Sequence, residues 1–132
     1  MTRSRVFLSV VGGLFLVVFA IPIFLVPFEW AEAFGWDAPR TDIGSYFGRC
    51  LGAVAIAISG QALWAARQPE RFRPLFDLLA AAAALLAIAH LRGLVEDSQP
   101  LVEHLETAGY TAFAGLALWA KPLAPEVPSQ RA

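Results

Sequence analysis

The sequence predicts an all-α fold, a bundle of four transmembrane helices with both termini on the cytoplasmic side. Three observations predict it. Hydrophobic residues make up 58% of the 132 residues and charged residues 16%, against about 45–50% and about 25% in a soluble domain. The apolar surplus is gathered into four blocks, and the segments between the blocks alternate between basic and acidic.

The first block, residues 6–28, is long enough to cross ~30 Å of hydrocarbon, which needs ~20 helical residues. Arg3 and Arg5 precede it as they would a signal peptide. An h-region runs only ~7–15 residues, so the block reads as an uncleaved helix. Pro22 and Pro27 lie in its outer half and are expected to kink it or end it early. The second block, 43–66, carries Gly44, Gly48, Gly52 and Gly60 in a four-residue period. Small residues at that spacing let helix backbones approach closely, and the alanine run Ala80 to Ala84 of the third block, 75–95, is the expected partner surface. Gly12 and Gly13 offer a second contact face on the first helix. The fourth block, 101–120, begins with Glu103, His104 and Glu106 and is strictly apolar only from Ala108. Lipid leaves no partner for an open backbone, so each block is expected to be helical. The membrane domain then spans 1–121, and residues 122–132, with three prolines, form a short cytoplasmic tail.

Orientation follows from the links. Arg3 and Arg5 stand at the N-terminus, and residues 67–74 hold three arginines and one acid. The link after the first block holds Glu29, Glu32, Asp37 and Asp42 against Arg40, and the link after the third holds Glu96 and Asp97. Basic residues stay on the cytoplasmic side, which puts both termini inside and the acidic links outside. Trp64 and Trp119 fall at the inner ends, and Trp30 and Trp36 at the outer interface. Asp77, at the inner edge, is expected to partner Arg71 or Arg73.

A net charge of −1 provides no basic surface for nucleic acid. The lone Cys50 cannot form an intrachain disulfide, and metal-binding and redox spacings are absent. Phosphate-loop, dinucleotide and hydrolase motifs are also missing. No cofactor and no metal site are predicted.

Arg49 is the most informative residue. A guanidinium in hydrocarbon costs about 2.5–3.5 kcal/mol on insertion scales, so it needs a partner or a route to water. Counting ~1.5 Å per residue from the inner ends places Arg49, His90, Glu103 and Glu106 at one level in the outer leaflet. Asp42, Ser45, Tyr46 and Arg49 share one helical stripe; Glu103, Glu106 and Tyr110 share another. The expected site is therefore a polar pocket of Arg49, Tyr46, His90, Glu103, Glu106 and Tyr110. Its expected centre is an ion pair of Arg49 with Glu106 or Glu103. Two plainer readings stand beside it: Arg49 reaching to lipid headgroups, and an ion pair that is purely structural.

Gly48-Arg49 opening the second block, the basic 67–74 turn, Ala89-His90-Leu91-Arg92-Gly93 closing the third and Glu106 in the fourth together resemble the DoxX-like group of small bacterial four-helix membrane proteins. The resemblance covers nearly the whole chain. It implies a four-helix bundle, and either an association with redox or sulfur metabolism or a place as a subunit of a larger assembly. Small multidrug exporters share the span count but carry their key carboxylate in the first helix, which here has no charge between Arg5 and Glu29.

Two function classes follow. One is a non-catalytic subunit or small-ligand-binding module, embedded in the bilayer as a homo-oligomer or in a larger membrane complex, with a lipid or quinone-like ligand. The other is a small membrane enzyme acting on a lipid, quinone or sterol-like molecule. There His90 and Glu106 would exchange protons and Arg49 would hold a polar group. A transporter ranks third, since no continuous inside-to-outside polar path is visible.

Overall fold

Pro22 dictates the shape of the first helix. It lacks an N–H and its ring crowds the carbonyl four residues back, that of Val18. In the computed structural model, which describes residues 2–37, 39–96 and 101–123 without the side chains of 96, 101 and 103, the backbone widens just there. Helix α1 (Arg3–Phe15) passes through a π-helical turn (Leu16–Ala20) into α2 (Ile21–Leu25). The Trp30 indole N–H donates to the Val18 carbonyl at 3.0 Å, supplying a partner where proline removes one. Val26 breaks the helix at φ −137°, ψ 63°, and Pro27 opens the short α3 (Pro27–Ala33), at the first helical position where its missing N–H costs nothing. The first membrane-length helix thus runs Arg3–Leu25 rather than to Phe28.

Gly35, at φ 88°, ends α3. The Trp36 N–H reaches back to the Ala31 carbonyl and the Gly35 N–H to that of Glu32, the left-handed glycine stop of a Schellman motif. Beyond the stop, Arg40 bridges Glu29 at 2.9 Å and Glu32 at 3.0 Å. The Glu29 carboxyl lies below its ordinary 4.5, held there first by its own backbone hydrogen bond and then by Arg40. A depressed carboxylate stabilises the fold above its unfolded pKa and loses that contribution as pH falls through the folded value. Acidification below 4.5 is therefore expected to release Arg40 from α3. Tryptophan emission should report the step, and Arg40→Gln should move its midpoint up toward 4.5. A midpoint unmoved by the substitution would exclude the bridge as its cause.

Helix α4 (Asp42–Ala65) starts at Thr41, whose side chain accepts the Gly44 N–H at 3.1 Å. A 3-10 turn (Pro69–Phe72) leads to α5 (Arg73–Glu96), and α6 (Leu101–Ala120) closes the chain. No strand occurs among the described residues. Among the described residues three helices are long and apolar enough to cross a membrane: Arg3–Leu25, Asp42–Ala65 and Pro69–Val95. Helix α6 is not among them, because Glu103, His104 and Glu106 make its first two turns polar.

The helices form two pairs, α1–α2 on α4 and α5 on α6. The first pair is seated through glycine. A Cβ on Gly52 would lie 2.5 Å from the Phe24 backbone nitrogen, one on Gly48 2.6 Å from Pro27 Cβ, and one on Gly44 3.3 Å from the Phe28 ring. The glycine face therefore meets the end of the first helix and α3, not the alanine run of α5. Gly12 packs on Ser59 and Ala62, whereas Gly13 and Gly60 have nothing within 4 Å of an added Cβ. The alanine run turns elsewhere: Ala80 joins a buried core with Leu8, Ala62, Phe76, Ala117 and Ala120. That core is where the two pairs meet, at the end holding the first residues of α1 and the last of α6. Along the rest of the second pair no described residue after Ala83 on α5, or before Ala117 on α6, is buried.

The same end collects the cationic ties. Helix C-termini leave carbonyls without intrahelical donors. The Ser4 hydroxyl donates to the Ala120 carbonyl. Arg5 donates to the carbonyls of Ala66 and Arg67, each at 3.1 Å, and Arg73 to that of Pro122 at 3.1 Å. Arg3 lies over the Trp119 ring at 5.3 Å. The partner of Asp77 is Lys121, whose ammonium sits 2.6 Å from both carboxylate oxygens, rather than Arg71 or Arg73. The expected tail, beyond Pro122 and Leu123, lies outside the described residues.

Candidate functional site

His90 stands near the end of α5 and Glu106 in the second turn of α6, and the pairing of these helices brings them together. His90 Nε2 lies 3.0 Å from Glu106 Oε2, with both side chains largely covered, at 18% and 17% exposure. His90 Nδ1 lies 2.8 Å from the Leu86 carbonyl oxygen. The Tyr110 ring, one turn beyond Glu106, rests against the imidazole at 5.0 Å between centroids.

Which ring nitrogen carries the hydrogen depends on the tautomer: Nδ1–H can donate to the Leu86 carbonyl, or Nε2–H to the Glu106 carboxylate. An imidazole within hydrogen-bond reach of a carboxylate is an arrangement that general acid–base work uses.

Arg49 does not join them. Its helix packs on α1 and α2, and it lines a separate groove of about 450 Å³ with Phe24, Asp42, Ser45, Tyr46 and Cys50. Tyr46 meets the Cys50 thiol one turn on. Among the described residues no carboxylate pairs with Arg49; the partner expected for it, Glu106, is held by His90 instead. The alternative partner, the Glu103 side chain, lies outside the described ones. The expected single pocket is thus two places on two helix pairs: His90, Glu106 and Tyr110 on one, and Arg49 with Tyr46 on the other. Residue counting speaks to position along each helix, and not to which helices are neighbours.

Sequence reasoning missed the role of Trp30, whose indole serves the Val18 carbonyl. The signal was present: a proline frees the carbonyl four residues before it, and Pro22 points back to Val18. No protein-family model, no curated protein and no solved structure matches the chain.

Proposed function

We propose that the chain is a four-span protein of a bacterial inner membrane, of the DoxX-like kind, with both termini in the cytoplasm. In this reading it is a small-ligand-binding module, or the non-catalytic subunit of a larger membrane assembly, and its outer-leaflet site is built on His90, Glu106 and Tyr110. The observation that carries the site is the 3.0 Å contact of His90 with Glu106 between two helices. A titratable pair is costly at membrane depth and is by default a functional-site candidate there. The topology is supported by the meeting of Ser4 with Ala120 and by the arginines and Lys121 gathered near it. A C-terminal fluorescent-protein fusion should light up in the cytoplasm; a fusion that is dark there and active in the periplasm refutes the orientation.

The test of the site is mass spectrometry of the organic extract of protein purified in mild detergent. A lipid or quinone-like species should accompany the native chain in near-stoichiometric amount and fall to the bulk membrane level in Glu106→Gln. Identical extracts from the two would overturn the binding reading. The imidazole–carboxylate contact favours a second reading, an enzyme that moves a proton on such a ligand. Incubation in heavy water separates the two, since only the enzyme installs deuterium at carbon, and only with Glu106 present.

A further inference from the structure

We propose that the groove between α4 and the end of α2 is a headgroup site for an aminophospholipid, with Arg49 taking the phosphate and Asp42 the ammonium. It requires only that α4 cross the membrane, and it stands or falls apart from the His90–Glu106 site.

Four observations lead to it. Arg49 and Asp42 both line the groove, and among the described residues neither has an ion-pair or hydrogen-bond partner on another side chain. The cap of α4 is Thr41, so Asp42 is not consumed in closing the helix end. The two charges lie seven residues apart on one helical face, about 10.5 Å along the axis, so a ligand with two opposite charges can lie along the face between them. Finally, the groove pairs this charged rim with apolar surface: Phe24, at 40% exposure, and Ala53 line it as well.

The chemistry selects among lipids. A phosphodiester accepts the guanidinium fork through two oxygens, and the Ser45 hydroxyl, between the two charges in sequence, can donate to it as well. Asp42 sets the other half of the specificity. A primary ammonium can donate hydrogen bonds to its carboxylate; a quaternary amine cannot, having no N–H. A headgroup with net negative charge would bring no cation to Asp42 and would leave like charges in one groove. The groove carries one cation and one anion, and the matching ligand carries the same two in reverse.

Native mass spectrometry of the full chain in detergent, titrated separately with phosphatidylethanolamine, phosphatidylcholine, phosphatidylglycerol and inorganic phosphate, tests the assignment. Phosphatidylethanolamine should bind about tenfold more tightly than phosphatidylglycerol, the worth of one charge-assisted hydrogen bond. Phosphatidylcholine should fall between them, and inorganic phosphate should leave no adduct. Arg49→Gln should weaken phosphatidylethanolamine binding about tenfold, and Asp42→Asn should abolish its preference over phosphatidylglycerol. Equal binding of the two lipids by the native chain overturns the assignment without reference to any variant. So does undiminished binding by Arg49→Gln, or inorganic phosphate that binds and displaces the lipid, which would mark a free-anion site.

Discussion

Gly52→Ala is expected to destabilise the protein by about 1–3 kcal/mol, the usual cost of forcing extra volume into a packed contact. The added Cβ would stand 2.5 Å from the Phe24 nitrogen and 2.6 Å from its Cα. Those are backbone atoms, so no side-chain rotation relieves the overlap and α2 must move off α4. Gly60→Ala, on the same helix and in the same four-residue period, meets nothing within 4 Å. It is expected to be neutral or to stabilise by about 0.5–1 kcal/mol, because alanine loses less backbone freedom than glycine. Thermal unfolding of the two variants in one detergent makes the comparison. If both lose stability equally, close approach at Gly52 is not the cause.

The second large effect is at His90 and Glu106. Removing either partner takes a contact from the other, which is polar and mostly covered at 18% or 17% exposure, and a covered polar group that loses a hydrogen bond costs about 1–3 kcal/mol. His90→Leu and Glu106→Leu should each destabilise by that amount. The double variant, which removes both ends of the contact, should lose less than the sum by about 0.5–3 kcal/mol. Strict additivity would remove the pair from the energetics of the α5–α6 contact. Glu106→Gln is the informative intermediate. It keeps the shape and a hydrogen bond to Nε2 but cannot take up the proton, so stability should largely survive while any proton movement stops.

Much of the fold was legible because long apolar blocks follow simple rules. They became the helices Arg3–Leu25, Asp42–Ala65 and Pro69–Val95, each long and apolar enough to cross a membrane, where a backbone would have no alternative to internal hydrogen bonds. Pro22 and Pro27 marked where the first helix would deform and stop, since a missing N–H and a crowded carbonyl act within one turn. Position along a helix was readable at ~1.5 Å per residue. Partnership was not. Periodicity says that Gly44, Gly48 and Gly52 share a face; it does not say whether that face meets Phe24 and Pro27 or the alanines of α5. Asp77 showed the same limit: Arg71 and Arg73 are near in sequence, yet Lys121, from the far end of the chain, closes on it.

Arg49 brings the two levels together. The sequence by itself determined the helical class and the stripe that Arg49 shares with Asp42, Ser45 and Tyr46, because these follow from local periodicity. Only the tertiary structure decided that Glu106 belongs to His90 and that Arg49 opens on its own groove. The choice rests on which helices lie side by side. Close approach at Gly52 seats α4 on the first helix, Phe76 and Ala117 lie in the core where α5 and α6 meet that pair, and such contacts between distant residues have no signature in the spacing of either one.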